Sequence, residues 1–300
     1  MAVIAIFGPT ASGKSAVALE LADMLGGEIV SCDAMQLYRG LPVLTNQPSA
    51  ADRERVAHHL VAVWEPSHEG SVAEYADLAH AAIDEILDRG RVPVVCGGSG
   101  LYMRAALADM PLPPQAPDGV RDAAERLYDD RGPAGAHATL AAVDAPAAAA
   151  VHPNDRRRVV RALELAESGH SLAVSESALW SAETRHPTVV GGLTLPPAST
   201  AQRIAERTAA MFAAGVVDEV RRARSAWTFS STAERIHGLQ DVTALLAGEI
   251  DREEASRRVE TRTRRYAKRQ RTWMRRLPGI HVIDAARDPR AVAADIAGLA

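Results

Sequence analysis

Cysteine is nearly absent from this 300-residue chain, with Cys32 and Cys96 the only two. Two thiols build no disulfide framework, so a reducing, cytoplasmic setting is expected. No apolar run is long enough to span a bilayer, and no membrane partner is expected. The apolar opening "MAVIAIFG" has no basic lead and reads as a buried strand rather than a signal peptide. Net charge is also lacking: 34 Lys and Arg face 38 Asp and Glu, for a formal charge of −4. No global field therefore draws in nucleic acid, and any such binding must come from a local patch. Lysine is almost missing too. Only Lys14 and Lys268 are lysines among the 34 cations, which marks both as positions where an ammonium in particular is wanted. There is no internal repeat and no low-complexity tail.

Apolar residues make up 47% of the chain, enough for a real core. Short β runs alternate with helical patterns in the first third. "AVIAIF" (2–7), "EIVS" (28–31), "HHLVAVW" (58–64) and "VPVVC" (92–96) read as strands. "KSAVALELADML" (14–25) and "VAEYADLAHAAIDEILDRG" (72–90) read as helices, the first with Val17, Leu21 and Leu25 at four-residue spacing. Alternation of this kind predicts a parallel sheet covered by helices, with ligands at the carboxyl ends of the strands. Strand ends near Gly8, Asp33 and Gly97 then converge on one edge.

The character changes at "MPLPPQAPDG" (110–119), where proline and glycine punctuate the chain. The first part of the core is expected over 1–110. Residues 111–187 read as a helical insertion, and residues 188–300 return to the core. "TVVGGLTL" (188–195) and "IHVID" (280–284) are expected as strands, with helices near 200–224, 239–247 and 252–277.

"GPTASGKS" (8–15) matches G-x-x-x-x-G-K-[ST] in full, after a strand and at the start of a helix. Glycines at 8 and 13 let backbone N–H groups close on phosphate oxygens, and the helix N-terminus adds partial positive charge. Lys14 reaches the terminal phosphates, and Ser15 can hold Mg²⁺. Pro9, Thr10, Ala11 and Ser12 complete the cradle. The fold class is thus α/β, a P-loop NTPase-like parallel sheet core covered by helices, with a helical insertion domain. The loop does not say which phosphate ester is bound. Kinases, ATP-binding enzymes and diphosphate-consuming transferases all use it.

"SCDAMQLYRG" (31–40) puts Asp33 at the next strand end. A carboxylate there can take a proton, help to bind Mg²⁺, or cap a helix. The arginine-rich stretch 156–161 could serve as the basic segment that closes over a kinase's nucleotide, so a nucleotide or small-metabolite kinase stays open. "RRVETRTRRYAKRQRTWMRRL" (257–277) carries a dense set of cations with Glu260 as its one acid. Val259, Tyr266, Gln270, Trp273 and Leu277 form a stripe for the core. Arg262, Arg264, Arg265, Lys268, Arg269 and Arg271 spread over the remaining faces, an electrostatic footprint for phosphates.

"GPTASGKS", "SCDAMQLYRG", "HHL" (58–60), "GGSGLYM" (97–103), "HPNDRRRVVRALEL" (152–165) and "AKRQRTWMRR" (267–276) occur in this order. Together they resemble the tRNA dimethylallyltransferase family over nearly the whole chain. The resemblance implies transfer of a dimethylallyl group from dimethylallyl diphosphate to the N6 amine of adenosine 37, beside the anticodon of tRNA. The bond broken is then carbon–oxygen. It also implies roles for single residues. Asp33 matches the base for N6, Lys14 and the loop N–H groups hold the diphosphate with Mg²⁺, and Arg207 matches an arginine that also contacts it. Ser99 stands where the family usually has threonine near the reacting amine. Ala34, Met35 and Gln36 match the segment that handles the flipped adenosine. Gln36 could read a base edge by paired hydrogen bonds, and Met35 could pack on a base or sit in the core. Arg157, Arg158 and Arg161, with Lys268, Arg269, Gln270, Arg271 and Arg275, match positions that contact tRNA. The partners expected are the tRNA anticodon stem-loop and the prenyl donor, with a single chain acting as a monomer.

Two stretches depart from the family pattern. The run Gly-Thr-Ala-Lys-Pro reads "LTNQP" (44–48), with Gln47 replacing a lysine, and Ile-Gly-Tyr reads "HGL" (237–239).

Overall fold

The computed structural model describes residues 2–112, 119–173, 179 and 181–300. The chain divides into two compact units. One is built from the residues up to Ala108 and from Ala182 onward, and the other is Asp109–Ser181.

The first unit is organised by one sheet of six strands, all parallel. In chain order they are β1 (Val3–Phe7), β2 (Glu28–Ser31), β3 (His58–His59), β4 (Pro93–Gly97), β5 (Thr188–Thr194) and β6 (Ile280–Asp284). Their order across the sheet is β3-β2-β4-β1-β5-β6. Each residue of β1 is buried, as a central parallel strand with covered faces requires. The register sets Phe7 beside Gly97, and Ser31 beside Cys96. The chain therefore leaves β1, β2 and β4 at one edge, as the strand ends predicted. Beneath that edge, Ile4, Ile6, Val17, Leu21, Val94 and Ile296 share one apolar core.

The helices of the first unit follow the chain as α1 (Lys14–Leu25), α2 (Pro42–Thr45), α3 (Ala50–Arg55), α4 (Val72–Asp88) and α5 (Gly100–Leu107). Ser49 caps α3 in a reciprocal capping box with Asp52. The expected strand over 58–64 shrinks to His58–His59. Leu60 and Ala62 take left-handed φ of 59° and 57°, which turns the chain out of the sheet. Among the described residues no helix is long and apolar enough to cross a membrane.

The second unit holds α6 (Val120–Val143), α7 (Ala145–Ala150) and α8 (Arg156–Glu167). Tyr128, Leu140, Val151, Val159 and Leu163 make its separate core. Glycine at 132 with φ 67°, followed by Pro133, breaks α6 into two segments. This unit ends earlier than the expected boundary at 187. The guanidinium of Arg185 and the imidazole of His186 bond the Asp84 carboxylate of α4 at 3.0 and 2.7 Å, so residues 182–187 belong with the first unit.

After β5 come α9 (Pro197–Ala213), α10 (Val216–Ala226), α11 (Leu239–Leu246) and α12 (Arg252–Met274), then β6 and α13 (Pro289–Ala297). The final helix was not foreseen, and it packs on α1. The basic helix α12 begins at the Asp251 cap, whose Oδ1 accepts the N–H of Glu254 at 2.8 Å. Its buried residues are Ala255, Val259, Ala267, Gln270 and Met274. The expected stripe holds at Val259, Gln270 and Leu277 and shifts at its other two positions. A period of 3.6 puts Ala267 and Met274 at its centre and turns Tyr266 and Trp273 to its margins. Trp273 lies over Gly100, where any Cβ would strike its ring.

Candidate active site

The phosphate loop sits between β1 and α1. Gly13 takes φ 89° and stands at the helix N-cap, and Ala11 takes φ 64° although it carries a Cβ. Left-handed backbone at an alanine is strained and occurs where a site demands it. The Ala11 and Gly13 amides so turned, with the free N–H groups of a 12-residue helix, make an anion cradle. Thr10 is held from two sides. Its N–H donates to Gln270 Oε1 at 2.8 Å, and its hydroxyl accepts from the Arg207 guanidinium at 2.8 Å. Burial draws the pKa of Arg207 down while Asp33 supports the charge. A guanidinium stays protonated under such a load.

Asp33 follows β2 at the same edge. Its Oδ1 accepts the N–H of Met35 at 3.0 Å, in a local turn rather than at the start of a regular helix. The capping role is thereby set aside, and the carboxylate lines the same cavity as Lys14 and Ser15. The cavity measures about 810 Å³. Thr10, Ala11, Gly13, Met35, Gln36 and Arg207 also line it. Gly8, Pro9 and Ser12 lie buried beneath the loop.

Two expectations change here. The amide of Gln36 is already engaged, for its Oε1 accepts from Ser31 at 2.9 Å and its Nε2 donates to the Asn46 carbonyl at 2.7 Å. One donor and one lone pair remain for a ligand. Gln270, placed in the core stripe by its spacing and among the RNA contacts by the resemblance, is only 3% exposed and faces the phosphate loop, as the stripe required. Arg262 stays exposed as expected and also pairs with the buried Asp241 at 2.9 Å. Ser99 stands at the N-cap of α5, two residues beyond the cavity-lining Gly97. Neither it nor Ala34 is among the lining residues.

The structure adds residues that the sequence did not single out. Arg203 lies one turn before Arg207 on α9, and its guanidinium sits 3.7 Å from where a Cβ on Gly13 would be. The i, i+4 spacing was the available signal. His237 and Tyr266 line the cavity and stack with ring centroids 4.4 Å apart. Burial lowers the pKa of His237, helped by Arg269 and Arg262 and opposed by Asp33. Glu219 on α10 caps α2, its carboxylate accepting from Val43 N and Leu44 N at 2.8 Å each. At the departure from the family run, Gln47 donates to the Tyr38 carbonyl at 2.8 Å. The segment lining this side of the cavity is therefore tied from within. At the second departure, Gly238 keeps a φ of 87° and caps α11, which accounts for the retained glycine.

Outside the cavity, Lys268 and Arg269 of α12 and Arg275 at its C-cap are exposed, and Arg271 is half-buried. Arg269 also lies over the Tyr266 ring, 5.7 Å from its centroid. In the second unit Arg157 is exposed, Arg158 donates to the Ala150 carbonyl at 3.3 Å, and Arg161 pairs with the buried Glu164 at 2.5 Å.

A parallel sheet whose first loop cradles phosphates, with a carboxylate and a second guanidinium on the same cavity, defines a P-loop enzyme acting on a phosphate or diphosphate ester. Residues 36–277 match the family described as IPP transferase. The chain belongs to that family. It is 43% identical over 293 residues to the tRNA dimethylallyltransferase of Anaeromyxobacter dehalogenans, with 98% of each chain covered. It is 41% identical over 298 residues to that of Corynebacterium glutamicum, covering 99% of this chain and 98% of the relative. The solved full-length tRNA isopentenylpyrophosphate transferase from Bacillus halodurans matches with a TM-score of 0.72 at 33% identity, covering 99% of this chain and 96% of that one. A eukaryotic dimethylallyltransferase acting on tRNA matches with a TM-score of 0.77 at 27% identity, covering 94% of this chain and 73% of that one. The kinase reading that the loop alone left open is not the reading of this family.

Proposed function

We propose that this chain transfers a dimethylallyl group from dimethylallyl diphosphate to the N6 amine of adenosine 37 in tRNA and releases diphosphate. The observation that carries the reading is one cavity shared by the anion cradle and the Asp33 carboxylate, in a chain of this family. The amine of adenine is a poor nucleophile because its lone pair is delocalised into the ring. A carboxylate placed beside it accepts the proton as the new carbon–nitrogen bond forms. The carbon–oxygen bond of the donor breaks at the same time, and negative charge grows on the leaving diphosphate. Lys14, the loop N–H groups and Arg207 are aimed at that charge, where fixed donors help most. Arg203 extends the same cationic wall.

The loop also suits Mg²⁺. Among the described residues no cluster of three or more His, Cys, Asp or Glu could hold a metal, so Ser15 and the donor's own oxygens would be its ligands. That is the usual habit of Mg²⁺, which favours phosphates and keeps several waters. Bound there, it would neutralise part of the charge on the diphosphate.

A base within an anticodon loop must leave its stack before it reaches Asp33. Met35, Gln36 and the His237–Tyr266 pair offer it one apolar contact, one polar contact and a ring face. Lys268, Arg269, Arg271 and Arg275 serve the RNA phosphates, and so do Arg157, Arg158 and Arg161 on α8. We read the enzyme as cytoplasmic and monomeric. Two free, buried thiols support the cytoplasmic reading.

The test is label transfer. The protein is incubated with Mg²⁺ and carbon-labelled dimethylallyl diphosphate, and with either unmodified tRNA or AMP. ATP consumption is followed in parallel. Label in tRNA and not in AMP is expected. Label in AMP would move the function to free nucleotides, and ATP consumption without label would restore the kinase.

A further inference from the structure

Gln270 is a buried polar side chain with no part in the chemistry above. A buried amide is costly unless both of its ends find partners. Its Oε1 takes the N–H of Thr10, 260 residues earlier in the chain. Its Nε2 lies against Gly98, where any Cβ would collide with it and would also fall 2.6 Å from the Gly8 carbonyl. The amide is therefore wedged between Thr10 of the phosphate loop and the segment after β4. Thr10 is fixed on its other side by Arg207. Its N–H points at α12 rather than at a ligand, so Thr10 acts as the post from which the Ala11–Gly13 amides are hung.

The same helix carries cations outward. Lys268 and Arg269 precede Gln270 directly and are exposed, and Arg271 follows it. One turn of helix thus presents cations to solvent and one amide to the loop.

We propose that Gln270 is a positioning residue that couples the two substrate sites. RNA on the cationic face of α12 holds the amide against Thr10, and this tightens the phosphate loop on a diphosphate. The proposal rests on the reading above for RNA as the occupant of that face. Coupling between binding sites is reciprocal, so diphosphate tightens RNA binding by the same factor.

The probes are inorganic diphosphate with Mg²⁺ and an unmodified anticodon stem-loop RNA. Calorimetry gives the affinity for diphosphate with and without the RNA, for the wild type and for Gln270→Met, which keeps the length and loses the acceptor oxygen. In the wild type, RNA should lower the diphosphate Kd by about fivefold or more. Gln270→Met should remove that factor and leave the RNA affinity measured without diphosphate unchanged. A wild-type affinity for diphosphate that ignores RNA would overturn the proposal. So would a variant that loses RNA affinity in the absence of diphosphate, because Gln270 would then be an RNA contact. Should the variant fail to fold, hydrogen exchange on the wild type decides. The Thr10 amide should exchange more slowly once RNA is bound, and an unchanged rate refutes the link. A failure of the prenyl-transfer reading looks different. It would give no label transfer while diphosphate and RNA still bind cooperatively.

Discussion

Arg207 and Thr10 stand 197 residues apart and share a 2.8 Å hydrogen bond. The guanidinium thereby reaches the rim of the anion cradle, and among the described residues it makes no direct bond to a carboxylate, which leaves its charge to a ligand. Arg207→Gln should lower kcat by about 10²–10³-fold, the usual cost of removing one fixed donor from developing negative charge. Steady-state kinetics with saturating RNA measures this. A change confined to the RNA KM would remove Arg207 from the donor site.

Asp33→Asn keeps an oxygen to accept the Met35 N–H and loses the base. Turnover should fall by about 10²–10⁴-fold, while RNA affinity is unchanged. Single-turnover kinetics beside a filter-binding titration separates the two. Full activity in the variant would end the assignment of Asp33.

Arg269→Ala removes one exposed cation from α12. The plot of log affinity for tRNA against log salt should flatten by about one unit, as for the loss of one phosphate contact. An unchanged slope would place RNA elsewhere.

Gly98→Ala inserts a Cβ between the Gln270 amide and the Gly8 carbonyl. Overpacking there should cost about 1–3 kcal/mol in urea unfolding. It should also raise the KM for dimethylallyl diphosphate, because both colliding groups hold the phosphate loop. A variant of full stability would show that this contact relaxes freely.

Burial pushes the Cys96 thiol up to about 11 and the Cys32 thiol well above its ordinary value. Burial disfavours the thiolate, so reactivity is lost at neutral pH and returns only as pH approaches the raised pKa. At pH 8 only about a thousandth of Cys96 is thiolate, three units below its pKa. Iodoacetamide should leave the native chain unlabelled at that pH and label both thiols after unfolding, as mass spectrometry would report.

Much of the site was legible in the sequence because its signals are local. A glycine loop between a strand and a helix has one plausible use, and Asp33 lies two residues past a strand whose parallel neighbours fix the edge it reaches. The density of cations in 257–277 is a property of composition alone. Glu219 carried no such signal. It caps a short helix some 175 residues before it, and only the packing of α10 brings the two together. His237 and Tyr266 were separated in the same way, one in a departure from the family run and the other in a stripe expected to be core.

By itself the sequence determined the parallel sheet, the phosphate loop, the carboxylate at the next strand end and the basic character of the late helix. These follow from steric preferences and charges of residues near one another in the chain. Tertiary structure alone decided what the inward face of α12 meets. The spacing put Gln270 in the core stripe and the resemblance offered it to RNA, and the folded chain buries it on Thr10. The reason is physical: the partner of a buried polar side chain is set by the unmet hydrogen bonds of the surface it packs on, and here that surface lies 260 residues away.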